Sequence, residues 1–415
     1  MPKRKQPLTL RDTCIRNVRE MLHGVLRRWI GELCQAQRSG IWRYRQQVEA
    51  VKSGCQTVNE VLTSLPIHIL DDMTPLVADD FVKEISSHHK RDRGFKPVTR
   101  YNEKIHNVVC TNMLKSVLLP STRRYSSKYW SIWEQGLIIQ TFNSTSNLTH
   151  LVFGVSYKDD NSALLASNIH HLRHLVSFQY NCHCTDQVLQ QLALHCTKLK
   201  KLHVSHSAAM TDVSVEHLLK LENLSDVDLM WTSADLSSLA ALEKLVEIHI
   251  KEGDYVTSNM ESVLEGVGHR LERLHLIRVD NVNIRHIATL CSCLLDIKID
   301  CCTSVPTGLY TDIRHDLPHF QSVNSLTICQ RSGKEVYVPH LGYYVNLVSF
   351  TCIGVHFLSD DFMHKAVKNG AFRNIEHFEV DDTDGGAVCT KGLHTSKELK
   401  TSPSNCSAKG KKNTH

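Results

Sequence analysis

No run of 18 or more apolar residues occurs in this chain, so no segment has the length and apolarity of a membrane-spanning helix. Nor does a basic start lead into the apolar block of a secretory leader. The expected location is therefore cytoplasmic or nuclear. Charge of one sign is scarce: 48 Lys and Arg against 43 Asp and Glu leave a formal net charge of +5 over 415 residues. Part of that excess sits at the two ends, in Lys3-Arg4-Lys5, a candidate nuclear import signal, and in Lys409, Lys411 and Lys412. Also missing are a glycine-rich phosphate loop, a nucleophile elbow and a catalytic constellation of His, Cys and Asp. No catalytic residue and no cofactor is assigned, and the chain is expected not to be an enzyme.

What is present is a hydrophobic fraction of 41% with 22% charged residues, enough for a sizeable core in two or more structural units. Fifteen cysteines, an odd count in a chain without a leader, read as free thiols rather than a disulfide framework. Cys182-His183-Cys184, Cys291/Cys293 and Cys301-Cys302 carry zinc-compatible donors, but not the doubled short spacing of structural zinc sites. They are expected to be buried, inert thiols at repeat turns, and no metal site is assigned.

A pattern of large apolar, two variable, apolar, one variable, apolar recurs ten times. It begins at Leu148, Leu175, Leu199, Leu224, Leu245, Leu271, Leu294, Val323, Leu347 and Ile375. Successive starts lie 27, 24, 25, 21, 26, 23, 29, 24 and 28 residues apart, inside the roughly 20 to 29 residues of leucine-rich repeats. Each unit is one short strand plus a return segment that buries its apolar face only by stacking on its neighbours. Within a strand the side chains alternate, so Leu202 and Val204 face inward and Lys201, His203 and Ser205 outward. Between strands the period becomes helical behind Thr185-Asp186 and Thr211-Asp212, both cap signals. The expected fold is α/β: a leucine-rich-repeat solenoid, a horseshoe of about ten repeats, over residues 148–381. The segment from Thr185 through His195-Cys196 to Leu199, with Cys291 in the equivalent slot before Leu294, resembles the cysteine-containing repeat class of F-box proteins and other ubiquitin-ligase receptors.

Residues 8–90 have helical texture instead. Leu10, Cys14, Val18, Leu22, Leu26, Trp29 and Leu33 recur at three or four residues, with Thr9 as N-cap and Asp12 completing a capping box. The run from Thr9 to Val18 resembles the elongin-binding box: Thr, Ser or Pro, then Leu, three residues, Cys, three residues, an aliphatic. The resemblance implies that Leu10 enters an apolar pocket of elongin C and that position 14 needs a small side chain. As plain residues, Leu10, Cys14 and Val18 are equally the core face of a first helix. A second helical stretch spans about Gln46 to Leu62. The segment 64–73 follows, with Leu65, Pro66, Ile69 and Met73 at helical spacing. It resembles a cullin-2 box, and equally the opening of an F-box that would dock a Skp-family adaptor, although no closing Trp follows.

Residues 1–7 form a basic tail, 91–147 a connector and solenoid cap, and 382–415 a polar tail expected to be disordered. On the outward, concave strand positions Lys201, His203, Asp226, Asp228, Glu247, His249, Lys251, Arg273, His275, Asp296, Lys298 and Asp300 alternate in sign. A nucleic-acid ladder would need one sign along the stripe, so the expected ligand is a protein, with neither nucleic acid nor membrane as partner. With two N-terminal boxes ahead of the repeats, the architecture resembles Zyg-type substrate receptors of elongin–cullin-2 ubiquitin ligases. That resemblance implies elongin C with elongin B and cullin-2 as partners, or a Skp-family adaptor and its cullin on the F-box reading. The armadillo-like repeats that Zyg-type proteins carry after the leucine-rich part have no counterpart here. A leucine-rich interaction scaffold unrelated to ubiquitin is the alternative from another class.

Overall fold

A computed structural model describes residues 9–91, 100–127, 132–154, 161–181, 184–204, 207, 209–230, 236–254, 259–302, 320–329, 346–353 and 372–381. The basic N-terminal cluster, Cys182, His183 and the tail beyond 381 lie outside them. The fold is mixed α/β: N-terminal helices, then parallel strands separated by short helices. It divides into two compact units, residues Met1–Lys244 and Leu245–His415. No helix among the described residues is long and apolar enough to cross a membrane.

The first unit opens with α1 (Leu10–Ser39), which buries Leu22, Leu26, Trp29, Ile30, Leu33 and Cys34. Gly40, at φ 117°, turns the chain where an L side chain would be strained, and α2 (Ile41–Thr63) returns, burying Tyr44, Val48, Val51, Cys55 and Leu62. The two helices approach closely enough that a methyl group on Gly54 would sit 2.8 Å from the Trp29 ring. Pro66 starts α3 (Ile67–Arg91), its carbonyl accepting from the amides of Ile69 and Leu70 at 2.9 and 3.2 Å.

Four ion pairs bind α1 to α3: Arg11 to Asp72, Arg19 to Asp80, and His23 and Arg27 to Glu84. The constant offset of 61 residues between Arg11 and Asp72, Arg19 and Asp80, and His23 and Glu84 means the two helices run parallel. The hairpin therefore fills the long gap between the two N-terminal boxes and returns the second beside the first. α4 (Arg100–Lys115) and α5 (Ile132–Ile139) complete the helical part, and the buried Glu134 of α5 accepts a hydrogen bond from Ser86 of α3.

The strands β1 (Arg124–Ser127), β2 (His150–Phe153), β3 (Ser177–Tyr180), β4 (Lys201–Val204) and β5 (Asp226–Met230) form one parallel ladder in sequence order. Between them run α6 (Ser162–Asn168), α7 (Asp186–His195) and α8 (Asp212–Leu218). In the second unit β6 (Glu247–Asp254), β7 (Arg273–Asp280), β8 (Asp296–Asp300), β9 (Ser325–Cys329), β10 (Ser349–Ile353) and β11 (His377–Asp381) form another, with α9 (Met260–Val267) and α10 (Ile284–Leu290).

A strand stands at each of the ten motif copies, and the copies are in register. Leu151, Phe178, Leu202 and Val227 are cross-strand partners in the first unit; Ile248, Leu274, Ile297, Leu326, Phe350 and Phe378 are in the second. All but Phe378, on the last strand, are buried to 2% exposure or less. β1 has no motif copy. By register Tyr125 stands where Leu151 does and Ser127 where Phe153 does, so the apolar triplet is too worn to read. Side chains also stitch successive repeats: Thr185 caps α7, and the Asp186 carboxylate accepts from the Thr211 amide at 2.9 Å, the Thr211 hydroxyl at 2.8 Å and the Ser214 hydroxyl.

Candidate functional site

Thr9 adopts an extended conformation before the first helical residue and its hydroxyl accepts from the Asp12 amide at 3.1 Å. The Asp12 carboxylate accepts from the Thr9 amide at 3.3 Å, closing the capping box. Those bonds from Thr9 hold the Asp12 carboxyl below its ordinary range. The N-terminus of α1 is thus capped by side chains of its own first turn.

On this capped turn Leu10 is 82% exposed, Cys14 is exposed and Val18 is half-buried. The helix buries nothing before Leu22. At about 100° per residue, Leu10, Cys14 and Met21 fall within about 40° of one another and Val18 about 80° from Leu10, on the way to the buried face. Met21, 55% exposed, thereby extends the apolar stripe that the box begins. The spacing of Met21, seven residues after Cys14, already carried that signal, but the box pattern stops at Val18. The core-face alternative for Leu10 and Cys14 does not describe this helix: its core face lies elsewhere on the wheel.

The second box divides differently. Leu65 and Ile69 are half-buried and Pro66 is exposed, while Met73 is fully buried at 0% exposure. Met73 sits on the side of α3 that carries Leu70, Val77 and Phe81 into the core, and so is packing rather than docking surface. Ile67, 52% exposed, and Leu76, 43% exposed, are the apolar side chains that α3 leaves outside. Arg11 bonds both the His68 carbonyl, at 3.1 Å, and the Asp72 carboxylate, which sets the starts of the two boxes side by side.

Several of the strand positions expected to display mixed charge hold it in ion pairs, most of them between neighbouring strands. In the first unit the Asp226 carboxylate, almost fully buried, accepts from Lys201 Nζ at 2.7 Å and lies 2.9 Å from His203 Nε2. Burial alone would raise the Asp226 carboxyl, but His203 and Lys201 outweigh it and bring it down to about 2. Asp228, next along the strand, is also buried. In the second unit Glu247 accepts from Arg273 Nε at 2.6 Å and lies 2.7 Å from His249 Nε2, while His275 Nε2 lies 3.0 Å from Asp296. Burial pushes the Asp296 carboxyl up, and hydrogen bonds from His275 and Ser325 bring it below its ordinary range. Lys251, Lys298 and Asp300 are half-buried. At Lys201, Asp226, Glu247, Arg273, His275 and Asp296 the alternation of sign thus accompanies pairing between neighbouring strands.

Among the described cysteines, Cys184, Cys196, Cys291, Cys302, Cys329 and Cys352 are buried, whereas Cys14 and Cys293 are exposed. Burial pushes Cys196, Cys291, Cys302 and Cys352 up to about 12. Cys196 donates to the Leu172 carbonyl at 3.4 Å and Cys302 to the Leu276 carbonyl at 3.3 Å, so both thiols bridge to the preceding repeat.

No family model matches the chain, and no curated protein matches it. Among solved structures it is similar to an internalin (inlF) of Listeria monocytogenes, with 14% identity over 73% of this chain and 88% of that one, at a TM-score of 0.40. An internalin C2 of the same organism shares 14% identity over 58% of this chain and 83% of that one, at 0.31. The yeast Rad7 and Elc1 complex shares 13% identity over 89% of this chain and 80% of that one, at 0.41. At such distances the functional reading rests on the chain's own residues.

Proposed function

We propose that the chain is a non-catalytic substrate-recognition subunit of a cullin-RING ubiquitin ligase. Its first helix docks on the elongin B–elongin C adaptor through Leu10, Cys14 and Val18. The surface around Leu65, Pro66 and Ile69 meets cullin-2, and the strand face of the leucine-rich repeats holds a protein substrate. The observation that carries this reading is Leu10, a large apolar side chain at 82% exposure on a helix whose first turn is capped and whose core face begins three turns later. An exposed apolar stripe on a rigid helix is what a helix-in-groove partner takes up. A ligase subunit of this kind accelerates transfer only by holding substrate near the transfer machinery.

The test is binding of the full chain to purified elongin B–elongin C and, separately, to a Skp-family adaptor. Elongin binding that is lost on Leu10→Asp supports the reading, because a carboxylate does not enter an apolar pocket without a large desolvation cost. Elongin binding untouched by Leu10→Asp, or binding to the Skp-family adaptor alone, defeats it. Binding to neither adaptor returns the chain to the class of interaction scaffolds.

A further inference from the structure

Within the first unit, beside the start of α3, lies an open groove of about 420 Å³. The repeats build its wall in two rows. Arg123, Thr149 and Val176 each stand just before a strand, and the amides of Thr149 and Val176 donate to the carbonyls of Arg123 and Thr149 at 2.7 and 2.8 Å. Two residues earlier in each repeat stand Ser121, Asn147 and His174, and Lys198 continues that row before β4. From α3 comes Ile67, 52% exposed.

Two of these side chains are fixed by the wall itself: Asn147 Nδ2 donates to the Pro120 carbonyl at 3.0 Å, and the Thr149 hydroxyl to the Arg123 carbonyl at 2.9 Å. The cations are held more loosely. Lys198 Nζ donates to His174 Nδ1 at 3.2 Å, and an ammonium has two further N–H donors. Arg123 Nε lies 3.9 Å from the Asp71 carboxylate, with the two side chains 60% and 32% exposed, a contact that binds the guanidinium only weakly. No carboxylate stands among the described residues that line the groove. The strand face beside Thr149 has the same sign: burial pushes the His150 imidazole down, and Arg124 and Lys201 push it further.

The spread of these cations favours one kind of ligand. Arg123 belongs to the repeat of β1 and Lys198 to that of β4, so their backbones are three strand spacings apart, about 14 Å. About four residues of extended chain cover that length, which suits carboxylates on neighbouring residues of a peptide better than one anionic group. Ile67 and Val176 add an apolar surface, and no aromatic side chain lines the groove for a base to stack on. We propose that the groove binds an acidic, extended segment of a protein partner, with its carboxylates at Arg123 and at Lys198 and an apolar side chain against Ile67. The proposal rests on neither the adaptor nor the cullin contact.

Fluorescence anisotropy of the full chain with a short fluorescein-labelled peptide, rich in Glu with one Leu, tests it, with circular dichroism as the control for folding. Binding should saturate and weaken as salt rises, because exposed charges are screened. Arg123→Ala and Lys198→Ala should each lower affinity about 2- to 5-fold, the range of exposed ion pairs, and Arg123→Glu with Lys198→Glu should abolish binding. Arg28→Glu with Arg43→Glu, at exposed positions of α1 and α2, makes the same change in net charge and should leave binding intact. Replacing the peptide's Leu by Gly should weaken binding to wild type but not to Ile67→Ser. Equal loss in the two charge-reversed pairs would reduce the effect to net charge and overturn the proposal. So would a Gln version of the peptide that binds as well, an oligothymidylate of equal charge that binds as tightly, or a wild-type chain that does not bind the peptide.

Discussion

The Arg11 guanidinium meets the Asp72 carboxylate across α1 and α3, 61 residues apart in sequence. Both side chains are about half exposed, and pairs of this kind contribute only about 0 to 1 kcal/mol to stability. Their effect is on position: with Arg19 and Asp80 two turns further on, they pin the first turns of α1 so that Leu10 and Cys14 stand outside the bundle.

The first prediction separates docking from folding at Leu10. Leu10→Asp changes an 82% exposed residue, so unfolding free energy should move by no more than about 0.5 kcal/mol. Affinity for elongin B–elongin C should fall at least about 30-fold, the equivalent of about 2 kcal/mol at an interface hot spot. Met73→Asp places a charge at a site with 0% exposure and should instead lower stability by several kcal/mol. Chemical denaturation and adaptor titration on the same two variants check both halves.

Much of this was legible in the sequence, for a physical reason. Ten strands are marked by apolar triplets because each inward side chain must stack on its register neighbour, and Leu202 and Leu274 show it directly. β1 was hidden because Tyr125 is the one large apolar residue of its triplet. The box marked Leu10, Cys14 and Val18 as one stripe and left open whether it was docking surface or core face. It did not reach Met21, and Met73, assigned to the second box, lies in the core at 0% exposure. Helical spacing alone gives a stripe without saying which side the neighbouring helices cover. Likewise Asp226 reads in sequence as one more displayed charge, since nothing local to it reveals that Lys201 and His203 converge on it.

Asp226 sets an acid limb on stability. Its carboxyl is held at about 2 in the fold against about 3.9 in an unfolded chain. A depressed carboxyl contributes stability that is fully present above the unfolded value and is lost as pH falls through the folded one, here between about pH 5 and pH 2. The contribution is on the order of 2 kcal/mol. Asp226→Asn should be less stable than wild type at neutral pH and should lack this part of the acid limb. Denaturation curves at steps from pH 7 to pH 2 test it; parallel curves for the two proteins would rule the pairing out.

The close approach at Gly54 sets two opposed effects against each other. Alanine is the better helix former, by about 1 kcal/mol. Its methyl group, however, would stand 2.8 Å from Trp29, whose ring is packed at 8% exposure, and overpacking of this kind costs about 1 to 3 kcal/mol. The balance is unfavourable, so Gly54→Ala should lower Tm. The double variant with Trp29→Phe, a smaller ring, should show the added methyl group costing less than it does beside Trp29. Thermal melts of the four proteins in the cycle give the coupling directly.

The cysteines supply a chemical readout of the same surfaces. A thiolate is the reacting form, and burial holds Cys196, Cys291, Cys302 and Cys352 up at about 12. Iodoacetamide on the native chain near pH 8 should therefore label Cys14 and Cys293, the exposed pair among the described cysteines, and leave those four unmodified by mass spectrometry. Labelling at Cys14 adds bulk at the position that α1 presents beside Leu10. The alkylated chain should then lose adaptor binding, while a Cys14→Ala chain, treated identically, should keep it. If alkylated wild type and alkylated Cys14→Ala bind the adaptor alike, the stripe at Leu10, Cys14 and Met21 is not where the adaptor docks, and its exposure has to serve another partner.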